Sequence, residues 1–483
     1  MPGVRVTTGV RTGPTGVTVA PASTYFVVGT AERGPVGEAV LVQGLADFEG
    51  YYGDYTASNT LHQQIRTFFE EGGTRAYVSR VVGGSATVGT KTLNSSGATP
   101  ALLLEAANPG SWSANVDVSV EAGTAGGFVL KLFYNDVLKY TTGEVATVSL
   151  AVNKLNTSPV ASIYVNATAI LGTAVLVPAV ASALSTGANG SAATSANYVA
   201  GLTAFGEELG AGAVAIPGQF GATIYNALLD HAGVNSRIAV MGFDPSFDDD
   251  DAIAEVAGYA AHEYASSASF YYPHVVVPGA GGVSLTLSPE SYVAAKRSMA
   301  QNKVGPWQPG AGVVSVASFI TGTSATVDKT TGDALDAGRV NAIRVIQGTV
   351  RIYGARSASG DEENYRYITQ QDTLNHIVVE SERTLEDLVF SVIDGRRTVF
   401  GRTEARLIAI LEPIRAAGGL FEAYDANNNQ IDPGYSVEVT DALNPTEQLA
   451  QGLIRAKVGV RISSVGDRIE VEVVKSNLTS SVV

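Results

Sequence analysis

Three short apolar runs lie in the middle of the chain: AVAI at Ala213–Ile216, IAVM at Ile238–Met241 and FYYPHVVV at Phe270–Val277. Each run has the length of a strand and is flanked by Gly, Pro, Asn or Ser. The segments between and after them have helical spacing of apolar residues, which predicts helices over 223–231, 248–264 and 289–301. Repeated strand–helix units predict an α/β layer with a largely parallel sheet.

A different pattern precedes this centre. Residues 84–200 are rich in Thr, Ser, Ala, Gly and Val, alternate over Val116–Val120, and contain the turn pair Asn135-Asp136. Residues 155–206 hold no charged side chain at all. Short alternating runs separated by turns are typical of β structure. We therefore predict a β-rich domain at 84–200, inserted into a central α/β domain formed by 21–83 and 201–335.

The C-terminal third is richer in charged residues, and the change follows the loop at 322–338. The pattern predicts helices over 369–393 and after an N-cap at Thr403, and a capping box at Asn444–Glu447. Two alternating runs, 457–463 and 468–474, predict a terminal hairpin. We assign 336–475 to a C-terminal domain and 476–483 to a tail. The fold class is thus α+β multidomain, with an α/β central layer, an inserted β-rich domain and a C-terminal α+β domain ending in a β-hairpin.

The composition excludes several classes of protein. The 483 residues include no cysteine, so a disulfide framework, a thiolate metal site and a cysteine nucleophile are excluded. The net charge of −15 argues against DNA as a direct partner, since binding a polyanion needs a clustered basic face. The most apolar stretch, Leu171–Leu184, contains Pro178 and is shorter than the roughly 20 residues of a spanning helix. We expect no membrane insertion, and a soluble protein made in a cytoplasm.

Motifs of catalysis are missing from the sequence. There is no G-x-x-x-x-G-K-[ST] loop for a nucleotide triphosphate and no G-x-S-x-G elbow. His262-Glu263 starts a zincin-like pair, but Ser266 stands where the second His is needed. The acidic run Asp248–Asp251 is interpreted as a helix cap, and Asp425-x-Asn427-x-Asn429 as a turn rather than a calcium loop. We predict no catalytic, cofactor or metal site, and no enzyme.

The two ends of the chain carry the most informative pattern. Near the start, a β-prone arm within residues 1–20 is separated from the central domain by Gly13–Gly16. Near the end, apolar residues alternate with charged ones. The residues predicted to exchange strands between subunits are Val4, Arg5, Val6, Thr7 and Thr8 in the arm, and Ile469, Val471 and Val473 near the end. A free arm and a strand acceptor in one chain imply head-to-tail polymerisation.

Short motifs are distributed along nearly the whole chain. The segments are Pro2–Val4, Phe26–Pro35, Asp47-Phe48, Tyr52-Gly53, Phe68–Gly73, Ala76–Val81, Asn108–Asn115, Ser288–Glu290, Ala294-Ala295, Gly305–Gly312, Asn341–Arg344, Tyr353–Ser357 and Pro445–Glu447. Together, and in this order, they resemble the contractile tail sheath protein of bacteriophages and related contractile injection systems. One position departs from the pattern, because Glu71 stands where the family usually has Asn.

The resemblance implies a structural subunit that polymerises as stacked hexameric rings around an inner tube. The extended polymer is metastable, is triggered at the baseplate, and contracts to drive the tube through a target cell envelope. The implied partners are other copies of the chain, the inner tail tube protein, and the baseplate and tail terminator proteins. The implied location is the virion tail or a contractile particle, assembled in the host cytoplasm, with no cofactor.

We place the tube-facing surface on the C-terminal helices, with Arg406, Arg415, Arg455 and Lys457 as candidates. The alternative is that these residues form ordinary solvated surfaces. Two other classes stay open for the whole chain: an α/β enzyme of unknown chemistry and a static, surface-layer-like lattice protein. The sequence also leaves open whether the device is a phage, a bacteriocin or an injection system.

Overall fold

The computed structural model describes residues 22–56, 60–279 and 282–467. The strands, in chain order, are β1 Thr24–Gly29, β2 Val40–Val42, β3 Ala76–Arg80, β4 Thr90–Ser95, β5 Thr99–Ala106, β6 Val116–Ala122, β7 Phe128–Tyr134, β8 Val137–Val145, β9 Val165–Ala169, β10 Ala179–Ala183, β11 Gly212–Ala215, β12 Ile238–Met241, β13 Ala268–Tyr272, β14 Val275–Pro278, β15 Ser284–Leu287, β16 Gly322–Thr323, β17 Val340–Ile346, β18 Thr349–Tyr353, β19 Ala423–Tyr424, β20 Gln430–Asp432, β21 Tyr435–Glu438 and β22 Lys457–Val460. The helices are α1 Leu45–Tyr52, α2 Thr60–Glu70, α3 Val148–Thr157, α4 Ser195–Leu202, α5 Ala222–Val234, α6 Asp249–Ala257, α7 Glu290–Lys303, α8 Lys329–Ala337, α9 Ile368–Leu385, α10 Thr398–Ala416 and α11 Thr446–Leu449.

A sheet with the strand order β18-β17-β13-β12-β11-β1-β3-β2 forms the centre. Its inner pairs are parallel, and only the outermost pairs, β2 with β3 and β17 with β18, are antiparallel. This confirms the predicted α/β layer. The division of the chain into domains stays a prediction. The sheet itself continues past residue 336, because β17 and β18 belong to it.

Helices cover both faces of this sheet, which explains why its strands read as continuous apolar runs. Within β1, Phe26 and Val28 point to one core and Tyr25 and Val27 to the other. The first core is closed by residues of α4, α5, α6 and α8. The second is closed by residues of α1, α2 and α7 and by Ile368, the first residue of α9. Both faces of the sheet are therefore buried under helices.

The β-rich segment predicted from alternation is confirmed as β structure. Its strands form two sheets, β4-β5-β9 and β10-β6-β7-β8, around their own apolar core, which includes Trp112. Asn135 and Asp136 both adopt positive φ in the tight turn between β7 and β8, as such hairpin turns require. Helix α4, which the predicted boundary at residue 200 divides, packs into the core of the central sheet instead.

Arg33 joins the β-rich segment to the central sheet. Its guanidinium carbon lies 5.2 Å from the ring centres of both Tyr134 and Tyr164, in cation–π geometry. The neighbouring Glu32 accepts a 3.1 Å hydrogen bond from the Tyr134 hydroxyl. On the same seam the buried Arg80 donates to the carbonyl oxygens of Gly34 and Pro109, at 2.9 and 3.0 Å. These contacts fix how the inserted strands sit on the sheet.

Several predicted helix ends are wrong. Helix α6 ends at Ala257 rather than 264, and α9 ends at Leu385 rather than 393. Helix α10 begins at Thr398, so Thr403 lies buried inside it and is not its N-cap. The break between α9 and α10 follows from Phe390 and Arg397, which adopt positive φ and cannot continue a right-handed helix. The capping box at residues 444–447 is also not formed, since Pro445 directly precedes the four-residue helix α11.

A fully buried carboxyl, Glu290, begins α7 at the carboxyl ends of the central strands. It accepts a 3.1 Å hydrogen bond from the Gly242 amide. Burial raises its pKa from 4.5 to about 7. The folded chain therefore binds this proton more tightly than the unfolded chain between these two pH values, so stability falls as the pH rises through that window.

We expect Glu290→Gln to remove this pH dependence. Relative to the parent, the variant gains stability between pH 5 and pH 8, by about 3 kcal/mol at most. Urea unfolding of both proteins at the two pH values measures the difference, and the subtraction cancels every other titrating group. The prediction is contradicted if the free energies of unfolding of variant and parent differ by the same amount at pH 5 and at pH 8.

Candidate functional site

A two-stranded ribbon made of β21 and β22 packs on α10 and is the candidate assembly site. The strands are antiparallel, with Tyr435 opposite Val460 and Val437 opposite Val458. These four apolar side chains alternate with polar ones and pack against a small core that contains Leu411 and Ile414 of α10. The sequence predicted a different partner for β22, the run 468–474, which lies outside the described residues. A ribbon of two strands is marginally stable alone.

One edge of the ribbon carries backbone groups that no described strand pairs with. Arg461 donates its N–H to the Gly434 carbonyl at 2.7 Å, and Phe421 donates to the Arg461 carbonyl at 2.7 Å. Ser463 donates toward the same side, to Gly419 at 3.0 Å. Since backbone groups alternate in direction along a strand, those of Val458, Val460 and Ile462 face the opposite side. This outer edge, Val458–Ile462, has the geometry that accepts an added strand.

Two of the four predicted tube-facing cations are engaged within the chain. Arg406 donates to Asp387 Oδ2 at 2.8 Å and to the Thr384 carbonyl at 2.6 Å, which ties α10 to the end of α9. Arg415 donates to Glu412 Oε2 at 2.8 Å and also contacts Glu422. Hydrogen bonds from Arg415 to these two carboxylates raise the pKa of its guanidinium. Both cations therefore have carboxylate partners already.

The other two cations lie beside the ribbon. Arg455 and Lys457 are exposed, and neither makes an ion pair with another described residue. The Arg455 backbone N–H is bound by Asn444 Oδ1 at 2.6 Å, which fixes the start of β22. Lys457 stands directly opposite Glu438 in the ribbon register. These two candidates thus differ from Arg406 and Arg415 in having no carboxylate partner among the described residues.

The residues predicted to exchange strands lie outside the described part of the chain. This holds for Val4, Arg5, Val6, Thr7 and Thr8 and for Ile469, Val471 and Val473. Two described residues near these segments in sequence, Ala22 and Asp467, are held by side-chain hydrogen bonds. The contact at Ala22 leads to Asp372 on α9, and the contact at Asp467 is made by Tyr367, the residue before α9.

Arg297 of α7 holds the backbone at Ala22. Its Nη1 donates to the Ala22 carbonyl at 2.9 Å, and its Nε donates to Asp372 Oδ2 on α9 at 2.8 Å. Gln301 donates to the same carboxylate oxygen at 3.1 Å. Arg297 and Asp372 are both buried. One arginine fork therefore connects the N-terminal segment to α7 and α9.

Tyr367 holds the side chain of Asp467. Its hydroxyl donates to Asp467 Oδ2 at 2.6 Å, and Arg366 lies 3.6 Å from the same carboxylate. The hydrogen bond from Tyr367, followed by the charge of Arg366, lowers the pKa of Asp467. Tyr367 itself is buried and immediately precedes α9.

A second buried ion pair lies next to Arg297 on α7. Lys296 Nζ lies 2.7 Å from Glu71 Oε2, with side chains 2% and 0% exposed. Glu71 also accepts backbone N–H groups of Ser318, Phe319 and Ile320, at 2.7–3.1 Å. Although burial alone raises it, the Lys296 and amide hydrogen bonds hold the pKa of Glu71 below its usual value.

Sequence reasoning missed Lys296, Arg297, Tyr367 and Asp372. No sequence pattern marks the first two, because only the structure shows that helix α7 is buried around its whole circumference, including two adjacent cations. Buried cations need partners. Their partners could not be read from the sequence, because Lys296 hydrogen-bonds a residue 225 positions away.

The acidic clusters have structural roles. Asp248 caps α6 by accepting the Asp251 amide at 3.0 Å, as predicted. Asp425 accepts the amides of Asn427 and Asn429, both at 2.8 Å, which confirms the predicted turn. Across the described residues, no three His, Asp or Glu side chains are grouped to hold a metal ion. A helix of sufficient length and apolarity to cross a bilayer is likewise not found among them.

No known protein-family model and no curated protein matches the chain by sequence. Solved structures do match. A sheath tail protein from Listeria innocua aligns with a TM-score of 0.63 and 12% identity, over 88% of this chain and 90% of that one. A sheath tail protein from Desulfitobacterium hafniense aligns with a TM-score of 0.59 and 12% identity, over 90% and 93%.

The sheath complex of an extracellular contractile injection system, PVC, in its contracted state also matches. The TM-score is 0.57 and the identity 14%, over 98% of this chain and 99% of that one. The similarity spans the central sheet, the inserted β structure and the C-terminal helices together. The chain therefore has the fold of tail sheath proteins.

Proposed function

We propose that this chain is the structural subunit of a contractile tail sheath. In this proposal it polymerises as stacked hexameric rings around an inner tube and contracts to drive that tube through a target cell envelope. The observation that carries the proposal is the match to the contracted PVC sheath over nearly the full length of both chains. The ordered sequence motifs support it independently.

Assembly is proposed to occur by strand addition. Residues 4–8 and 468–474 of neighbouring copies add to the ribbon of β21 and β22, and the outer edge at Val458–Ile462 supplies one acceptor. Backbone pairing gives affinity without a pocket. A strand supplied by a second copy in head-to-tail fashion produces a helical polymer.

The proposed role needs no catalytic chemistry. The sequence carries no nucleotide-triphosphate loop, so the work of contraction is proposed to come from subunit packing in a metastable polymer. Rigid bodies rotate while the exchanged strands keep neighbours connected. The proposed partners are further copies, the inner tube protein, and the baseplate and terminator proteins, in a tail or contractile particle assembled in the host cytoplasm.

Negative-stain microscopy of the purified full chain tests this proposal. Striated hollow tubes are the expected result. Discrete particles favour the enzyme alternative, and flat arrays favour a static lattice protein. Either of these two outcomes contradicts the proposed function.

For the tube-facing surface, we propose Arg455 and Lys457 rather than Arg406 and Arg415, since the latter two already bind carboxylates. Replacing both Arg455 and Lys457 with Gln is expected to weaken co-sedimentation with the tube protein about tenfold at low salt. Salt screens such charges, so the loss disappears near 1 M salt. Gln is preferable to Glu because a second carboxylate opposite Glu438 destabilises the ribbon itself.

The matched control replaces Arg406 and Arg415 with Gln and is expected to leave tube binding unchanged. Self-assembly of both variants is followed in parallel to separate tube binding from sheath formation. Equal tube binding by the parent and the Arg455/Lys457 variant at low salt refutes the assignment.

A further inference from the structure

Helix α9 connects two points of the described chain, Ala22 and Asp467, that are far apart in sequence. The carbonyl of Ala22 is held by Arg297, which is held in turn by Asp372 on α9. Asp467 is held by Tyr367, the residue before α9. Tyr367 and Asp372 are five positions apart, about 8 Å along a helix axis.

We infer that α9 is the common support of the chain at Ala22 and at Asp467, with Tyr367 and the Arg297–Asp372 pair as positioning residues. The Arg297–Asp372 pair fixes the backbone at Ala22, and Tyr367 fixes Asp467. Only the consequence for assembly rests on the proposed function; the anchoring itself does not.

Three features of the contacts support this inference. Asp372 is buried and receives hydrogen bonds from both Arg297 and Gln301, so it cannot shift without leaving a buried cation unpaired. Tyr367 is buried, and its hydroxyl donates a hydrogen bond to the exposed Asp467. The packed ring therefore holds a surface residue in place. Ile368, between them, packs in the core beneath the central sheet.

The anchor at Asp467 is part of a larger charged network. Arg366 lies between Asp467 and Glu362. Arg356 Nη2 also donates a 2.7 Å hydrogen bond to Glu362 Oε1. Arg356 lies 3.7 Å from Asp336, at the end of α8. Asp467 is thereby connected to α8, which packs on the central sheet, as well as to α9.

In a polymer joined by its terminal segments, this arrangement couples the two connections of a subunit. If one segment is pulled by a neighbour, the load reaches α9, and α9 carries the other segment too. A rotation of α9 therefore redirects both connections at once. The two connections move through one rigid helix rather than acting independently.

Distances between nitroxide labels test the anchoring on dispersed, full-length protein. The chain has no cysteine, so introduced cysteines are the only attachment points. One label pair joins Gly466→Cys to Glu382→Cys, and the other joins Ala22→Cys to Glu382→Cys. Gly466 and Glu382 are exposed, Gly466 is next to Asp467, and Glu382 lies near the far end of α9.

Tyr367→Phe removes one hydroxyl and keeps the ring. We expect it to broaden the 466–382 distance distribution about twofold, because a hydrogen bond to a charged group is lost, and to leave the 22–382 distribution narrow. Asp467→Ala, a surface change that removes the acceptor of this hydrogen bond, is expected to act in the same way. Arg297→Lys, which loses the fork, is expected to broaden the 22–382 distribution instead.

Parent-like widths at 466–382 in both Tyr367→Phe and Asp467→Ala overturn the inference. A parent-like melting temperature in Tyr367→Phe, together with a broadened distribution, distinguishes positioning from general stabilisation. If the parent forms no tubes, the proposed function fails while these distances still decide the anchoring. If it does, the rate of tube formation by Tyr367→Phe is expected to fall about tenfold.

Discussion

Replacing Glu71 with Gln is expected to cost about 3–5 kcal/mol of the free energy of unfolding. The substitution leaves the Lys296 ammonium buried without its counter-charge, while the new amide oxygen still accepts the N–H groups of Ser318–Ile320. Chemical denaturation of the full chain at pH 7 measures the change.

The matched control is Glu70→Gln, one residue earlier on the exposed side of α2. It removes the same charge and is expected to change stability by less than about 0.5 kcal/mol. Adding Lys296→Met to Glu71→Gln removes the orphaned cation and is expected to restore much of the loss. Equal unfolding midpoints for the two single variants refute the argument.

The pH dependence of the same pair has a defined sign. Because the folded pKa of Glu71 lies below its ordinary value of 4.5, the stability it contributes is present above pH 4.5 and is lost as the pH falls below it. The difference in the free energy of unfolding between parent and Glu71→Gln is therefore expected to become smaller on acidification to pH 3. A gap that stays constant shows that Glu71 does not act through its charge.

Deleting residues 1–12 is expected to abolish tube formation while leaving a folded, soluble monomer. The arm is proposed to supply backbone hydrogen bonds to a neighbouring subunit rather than to its own. Microscopy and sedimentation velocity measure assembly, and circular dichroism measures folding. If the truncated chain forms ordered tubes as long as those of the parent, the strand-exchange proposal is wrong.

Two point variants sharpen this test. Arg5→Ala keeps every backbone donor of the arm and is expected to assemble normally. Val460→Pro removes an outward N–H from the proposed acceptor edge, and proline is tolerated where the N–H faces away from the sheet. It is expected to reproduce the assembly defect in a folded subunit. Normal tubes from Val460→Pro exclude Val458–Ile462 as the acceptor.

Much of the fold could be predicted because its causes are local. The buried strands β11 and β12 follow from the apolar runs at 213–216 and 238–241, whose flanking turns stop them from extending. Asn135 and Asp136 tolerate positive φ, and Asp248 caps a helix with its own side chain; both effects act within a few residues. The helix break near Phe390 was not predicted, because the apolar spacing continues through it.

The sequence by itself determined the parallel α/β layer, the inserted β structure and the order of sheath-like motifs. Only the tertiary structure decided which groups hold the subunit together: the partners of Lys296 and Arg297, the pairing of β22 with β21, and the anchoring of Ala22 and Asp467 around α9. The physical reason is range. Backbone periodicity and turn chemistry are set by near neighbours in the chain, whereas a buried charge or an edge strand is satisfied by whatever the fold brings within about 3 Å of it.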